Sequence, residues 1–147
     1  MPVKVFAAIP TREEARYPDF YVTLFQQRPP FGTHIALGNC KGTYIYEQQN
    51  FMVLAFLQSD ADYFWLLNDD TRLPPTTLSQ LLSHDVDVVA PLCLYKTPPF
   101  KPILYDTDSE EFDDLHHRYL LPTDKGLVPV VASGSARGTA DPARLAA

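Results

Sequence analysis

Residues 63–75 read YFWLLNDDTRLPP, and this segment is the strongest indication of the architecture. Five apolar residues are followed at once by Asn68, Asp69 and Asp70, and two prolines end the run. An apolar run of this length predicts a strand covered on both faces, as in a parallel sheet. Polar groups just past the carboxyl end of such a strand lie where open α/β sheets bind ligands. We therefore expect the acidic residues to belong to a ligand site.

The composition indicates one folded domain. The 147 residues include 46% hydrophobic and 12% aromatic side chains, which argues against disorder. The formal net charge is -6 and no basic stripe is present, so we expect no nucleic-acid partner. Cys40 and Cys93 match neither a zinc site nor a disulfide framework, which favours the cytoplasm. No run approaches the roughly 20 apolar residues of a transmembrane segment, so we expect none.

Apolar runs and helical patterns alternate from residue 3 to residue 94. The expected strands are 3–9, 34–37, 63–67 and 87–94, and the expected helices begin at 18 and span 43–58 and 74–83. Pro10 is expected to end the first strand because proline cannot donate to a ladder. The alternation predicts an α/β fold, a three-layer Rossmann-like arrangement with a mainly parallel sheet.

The helices are expected to bury their large apolar residues. The first helix carries three of them on one side: Phe20, Leu24 and Phe25. The helix at 43–58 is predicted to have a wide buried face, with members at Tyr46, Phe51, Val53, Leu54, Ala55 and Leu57. Tyr44 and Phe56 are expected in the core as well, and Trp65 is expected to pack inside its strand.

The pattern weakens after Leu94. We expect a short strand at 103–105, an exposed acidic stretch at 106–114 and a strand at 128–132. The composition then changes: residues 132–147 contain six alanines, and all 18 aromatic residues lie at or before Tyr119. The expected division is a domain at 1–131 and a disordered or aberrant tail at 132–147.

Asp69 and Asp70 are the residues most suited to chemistry. Carboxylates are hard oxygen ligands of the type that Mg²⁺ or Mn²⁺ uses when it also binds substrate phosphates. Adjacent side chains point different ways, so one of the two is expected to be a direct ligand. The alternative is a polar turn that caps the strand and starts the next helix. His116 and His117 are expected to be an exposed pair and not a metal site.

Several segments together resemble the nucleotide-binding half of a GT-A glycosyltransferase, in the family 2-like group of bacteria and phages. They are AIPTR at 8–12, Gln49-Asn50 in a helix, FWLLNDDT at 64–71 with Pro74-Pro75, and DVVAPL at 87–92. The resemblance covers roughly residues 3–105. It implies a nucleotide-diphosphate sugar donor, a Mn²⁺ or Mg²⁺ cofactor, and transfer of the sugar to an acceptor that the sequence does not identify.

The resemblance also implies roles for individual residues. Those carried over to nucleotide-sugar binding are Pro10, Thr11, Arg12, Glu13, Asn50, Asn68 and Asp69. Asp70 holds the last place of the acidic triplet and is the implied metal ligand. Asn68 replaces the customary aspartate, although its amide oxygen can still accept a ribose hydroxyl. Gln49 stands where relatives commonly have arginine. The resemblance assigns no catalytic residue, and the general base stays unidentified.

Other readings stay open at this stage. Relatives continue with apolar and catalytic segments after a strand like 130–135, whereas this chain runs into Ala136-Arg137-Gly138, which suggests a truncated or frameshifted C-terminus. The chain is then an inactive fragment or a nucleotide-binding module. A metal-dependent phosphatase needs Asp-x-Asp-x-Thr at the strand end, and Asn68 occupies the place of its nucleophile.

Overall fold

The computed structural model describes residues 2–12, 17–42, 44–94, 98, 104–105 and 132–133. The chain divides into two compact units, Met1–Asp85 and Val86–Ala147. Strands and helices alternate in the first unit: β1 (Lys4–Thr11), α1 (Pro18–Phe25), β2 (His34–Lys41), α2 (Ile45–Leu57), β3 (Tyr63–Leu66) and α3 (Thr77–Ser83). Within the described residues, each of the six lies at a predicted position, with ends displaced by a few residues.

The strands of the first unit form a parallel sheet in the order β2-β1-β3. Val5 of β1 lies opposite Ile35 of β2 and Tyr63 of β3, and both ladders are parallel. The parallel pairing confirms the predicted α/β class, since parallel neighbours need a crossover and helices supply it here. The arrangement is compatible with the Rossmann-like class.

The main core lies on one face of the sheet. Val5, Ala7 and Ile9 alternate along β1 and are almost fully buried against Phe20 and Leu24 of α1. The same cluster includes Trp65, Leu67, Leu73 and Leu78, so α3 and the segment before it also contribute. Trp65 is therefore a packing residue, as predicted.

Helix α2 packs on the opposite face. Phe56 of α2 lies with its ring centroid 6.5 Å from Phe6 and 5.3 Å from Phe64, and these two rings stack on neighbouring strands. A Cβ on Gly38 of β2 would lie 2.5 Å from Phe6 Cζ. Only glycine at position 38 leaves room for the Phe6 ring in this packing.

The predicted buried faces of the helices were partly wrong. Phe20 and Leu24 are buried, but Phe25 is 79% exposed. Helix α2 buries Gln48 and Met52, whereas most of the residues predicted for its wide buried face are exposed: Tyr46, Phe51, Val53, Leu54 and Leu57. Tyr44 is exposed as well, and Phe56 is half-buried. A three-stranded sheet is narrow, so it covers only the stripe at 48, 52 and 56, spaced by four residues.

Strand β1 continues through Pro10 to Thr11, so the prediction that Pro10 ends it was wrong. Carbonyl groups of even-numbered residues face β3, because Ala8 O accepts from Leu67 N at 2.9 Å. Pro10 is also even-numbered, so its backbone nitrogen faces the side of β3. Strand β3 ends at Leu66. The missing N–H therefore faces the side of β3, beyond the last residue of that strand, so proline does not interrupt the β1–β2 ladder.

Among the described residues of the second unit, β4 (Leu104–Tyr105) and β5 (Ala132–Ser133) are short strands that pair antiparallel. Strand β4 confirms part of the strand predicted at 103–105, and β5 overlaps the strand predicted at 128–132 only at Ala132. The strand predicted at 87–94 is not formed. Val88 and Leu92 are exposed and Pro91 lacks an N–H, so neither a core nor a continuous ladder holds this segment as a strand.

Several predictions lie outside the described residues. They concern Glu13, the acidic stretch at 106–114, His116 and His117, residues 128–131, and the tail after Ser133. Within the part of the chain that the structure describes, no helix is both long enough and apolar enough to cross a membrane.

Candidate functional site

The sheet order creates a switch point between β1 and β3. The chain passes from β1 to β2 through α1, then from β2 across the sheet to β3 through α2, and the two helices pack on opposite faces. In open α/β sheets the crevice outside the carboxyl ends of strands at such a point is where ligands bind. Thr11 ends β1, and Asn68, Asp69 and Asp70 follow β3 closely.

A hydrogen bond joins the two strand ends. The Thr11 hydroxyl donates to Asp69 Oδ2 at 2.6 Å, and Thr11 is only 3% exposed. The loop that carries Asp69 is fixed at both sides, because Leu67 N donates to Ala8 O at 2.9 Å and Thr71 N donates to Asn68 O at 3.2 Å. The Asp69 carboxylate is thus oriented toward β1.

Asp70 faces a different environment from its neighbour. It lines an open pocket of about 310 Å³ together with Tyr17, Asp19 and Arg72 at the start of α1 and in the loop after β3. Arg72 donates to Asp19 Oδ2 at 2.6 Å, so this pocket carries both charge signs. The two adjacent aspartates therefore have different surroundings. Asp69 is half-buried beside β1, and Asp70 is exposed at the pocket.

The predicted site residues do not all come together. Pro10, Thr11 and Arg12 lie at the end of β1, the first two buried and Arg12 exposed. Asn68 is exposed in the loop after β3. Asn50 is also exposed, but it lies in the second turn of α2, within a helix and not at a strand end.

Sequence reasoning missed Gln48. This residue is 2% exposed in the first turn of α2, where its Nε2 donates to Gly42 O at 2.7 Å. Gly42 N in turn donates to Thr11 O at 3.3 Å. One signal was available in the sequence: Gln48 is a polar residue four positions before Met52 and eight before Phe56, in phase with the buried stripe.

The residues at this edge fit a divalent cation that is shared with a ligand. Among the described residues, no three side chains of His, Cys, Asp and Glu lie close enough to enclose a metal on their own. Mg²⁺ sites of the phosphate-binding type use one or two carboxylates and take their other ligands from water and phosphate oxygens. Asp70, exposed at the pocket, and Asp69 beside it supply a donor set of that type.

A second pair of charges lies at the opposite edge of the sheet. Lys4 Nζ donates to Asp60 Oδ2, and Lys4 N donates to Asp62 Oδ2 at 2.9 Å. The hydrogen bond and the opposite charge raise the pKa of Lys4 and lower that of Asp60. Both groups are solvent-exposed, so this ion pair contributes little to stability. It provides an acidic residue well suited to control experiments.

Removing the Thr11 hydroxyl is expected to destabilise the protein. Thr11→Val keeps the shape but leaves Asp69 Oδ2 without its donor, which costs about 1–3 kcal/mol of unfolding free energy for a hydrogen bond to a charged group. Thr11→Ser keeps the hydroxyl and loses one methyl group, worth about 0.8 kcal/mol. Urea unfolding measures both. Equal losses, or a greater loss for Thr11→Ser, contradict the role given to the hydroxyl.

Comparison with known proteins adds no relative. Neither the protein-family models, nor the curated proteins, nor the solved structures contain a match to this chain.

Proposed function

We propose that the first unit binds a nucleotide-diphosphate sugar through a divalent cation and serves glycosyl transfer, within a three-layer GT-A-like domain. The observation that carries this proposal is the position of Asp69 and Asp70. They follow β3 at the β1/β3 switch point, where Thr11 anchors the first and a pocket opens beside the second. Carboxylates at this place suit a cation, and a cation suits a diphosphate.

The two carboxylates take different roles in the proposal. Asp70 is the direct metal ligand because it is exposed at the pocket. Asp69 is held by the Thr11 hydroxyl, so it fixes the loop and orients a water or a sugar hydroxyl. When bound, Mn²⁺ or Mg²⁺ supplies electrostatic stabilisation of the negative charge that develops on the diphosphate leaving group.

The end of β1 is proposed to receive the nucleoside. Arg12 is exposed immediately after Thr11, and its guanidinium offers charge and several donors to a phosphate or a base. Asn68 is exposed across the switch point, where its amide oxygen can accept a hydrogen bond from a ribose hydroxyl. These two side chains place donors and acceptors on both sides of the crevice.

Calorimetry with a donor panel tests the proposal. Uridine, guanosine and thymidine diphosphate sugars are titrated into the full chain with Mn²⁺, then with EDTA in place of the metal. We expect one nucleotide to bind in the presence of Mn²⁺ and to lose most of its affinity in EDTA. No binding by a folded sample contradicts the proposal. Binding that EDTA leaves unchanged contradicts the metal role.

A hydrolysis assay separates a transferase from a binding module. A bound donor sugar is released slowly to water by many enzymes that activate the leaving group, so free nucleotide diphosphate accumulates without an acceptor. Accumulation in Mn²⁺ above the rate in buffer supports transfer chemistry. Tight metal-dependent binding with no accumulation supports a nucleotide-binding module.

A further inference from the structure

Three hydrogen bonds connect α2 to the acidic loop. Gln48 Nε2 donates to Gly42 O at 2.7 Å, Gly42 N donates to Thr11 O at 3.3 Å, and Thr11 Oγ1 donates to Asp69 Oδ2 at 2.6 Å. The series starts on a helix, passes the ends of β2 and β1, and finishes beyond β3. It thus ties together the carboxyl ends of the whole three-stranded sheet.

We propose that Gln48 is a positioning residue for the acidic loop, acting on Asp69 through Gly42 and Thr11. Gln48 is buried and its amide contacts Gly42, so it is assigned an indirect role and not a catalytic one. Its amide fixes the backbone just after β2, which fixes the end of β1, and the Thr11 hydroxyl transmits that position to Asp69. The inference rests on the proposed function for its effect on metal binding, but not for its effect on the loop.

The burial of Gln48 supports this role over a purely stabilising one. Among the residues that the structure describes, its buried Oε1 has no hydrogen-bond partner, and an unpartnered buried acceptor is unfavourable. A methionine fills a similar volume beside Met52 without that penalty. The Gln48 amide therefore contributes little to stability. Its distinguishing property is the hydrogen bond that Nε2 donates to Gly42 O.

The packing at Gly42 also supports it. A Cβ at this position would lie 3.3 Å from Gln48 Cγ and 3.5 Å from Nε2. The glycine therefore allows the amide to approach the backbone closely. Gly42→Ala requires the Gln48 side chain to move by a few tenths of an ångström, so it is expected to disturb the same contact from its other end.

The test compares Gln48→Met with Gln27→Met. Gln27 is a matched control, because its side chain also bonds to backbone groups: Nε2 donates to Thr23 O and Pro74 O, and Oε1 accepts from Leu78 N. These contacts lie between α1 and α3, away from the series of bonds at Gln48. Gln27→Met loses more hydrogen bonds, so its melting temperature should fall at least as much.

Two measurements are made on each full-length variant. Amide NMR spectra report whether Thr11, Gly42 and Asp69 move, and paramagnetic resonance of free Mn²⁺ reports affinity for the metal alone. We expect Gln48→Met to shift all three amides and to weaken Mn²⁺ binding about three- to tenfold, less than the 10–100-fold of a direct outer-shell partner. Gln27→Met should leave the amides and the affinity unchanged. Gly42→Ala should shift the same three amides and weaken Mn²⁺ binding in the same direction but by less, and it replaces Gln48→Met if that variant does not fold.

Two results would overturn the positioning role of Gln48. A shift at Gly42 without a shift at Asp69 overturns the proposal, because the series then ends at β2. Equal Mn²⁺ losses in Gln48→Met and Gln27→Met also overturn it, since general destabilisation explains them. If the unmodified protein binds Mn²⁺ neither alone nor together with a nucleotide diphosphate, the proposed function fails, and the Asp69 amide alone decides whether Gln48 positions the loop.

Discussion

Phe20→Ala is expected to lower the unfolding free energy by about 3–5 kcal/mol, the usual cost of emptying a buried phenylalanine site. Phe20 is 1% exposed and belongs to the cluster formed with Val5, Ala7 and Ile9. Its ring packs edge-on against that of Tyr21, with the two ring centroids 5.1 Å apart. Small domains are stable by only about 5–15 kcal/mol, so the loss is a large part of the total. Equilibrium unfolding in urea measures it.

Phe25→Ala is the matched control, on the same helix and with the same change of side chain. Phe25 is 79% exposed, so the expected change is within about 0.5 kcal/mol, as for most surface substitutions. The sequence placed both rings on one buried side of α1. A similar loss in both variants would support that original prediction and contradict the packing described above.

Asp70→Ala is expected to abolish metal-dependent donor binding. Removing a direct metal ligand should weaken Mn²⁺ binding at least about 100-fold, beyond the 10–100-fold measured for outer-shell partners. Asp70 is exposed, so stability should change little. Calorimetry with the donor selected from the panel measures binding, and urea unfolding confirms that the variant is folded.

Asp60→Ala is the control for charge. It removes one carboxylate from the same unit, but at the amino edge of the sheet, where Asp60 pairs with Lys4. Donor affinity in Mn²⁺ should therefore match that of the unmodified protein. Retained binding in Asp70→Ala, or an equal loss in Asp60→Ala, rules out Asp70 as the metal ligand.

The order of elements in the first unit could be predicted because local patterns determine it. The apolar run before Asn68 and the alternation along β1 reflect burial on both faces of a sheet, and burial depends on side-chain type. The faces of α2 could not be predicted in the same way. Its residues 51–57 are all apolar, so the sequence does not single out one face, and the stripe at Gln48, Met52 and Phe56 is selected by the width of the sheet, a tertiary property.

The site was predictable in part for a similar reason. Residues after strands gather at one edge of a parallel sheet, and this rule brings Thr11 near Asp69 from sequence positions 58 apart. The Gln48 contact follows no such rule, because it depends on how closely α2 approaches Gly42. Residues 87–94 show why an apolar run alone is not sufficient to predict a strand. A strand also needs a neighbouring strand with which to form hydrogen bonds.

The central position of β1 in the sheet affects how the chain folds during translation. Its two partners are translated after it, and β3 follows by 55 residues, counted from Thr11 to Leu66. At about 5–20 residues per second, this apolar strand waits roughly 3–11 s for its second neighbour. Until β3 is made, the hydrogen-bonding edge of β1 that β3 later covers is available to other nascent chains, so slowing translation between β2 and β3 should increase the demand for chaperones.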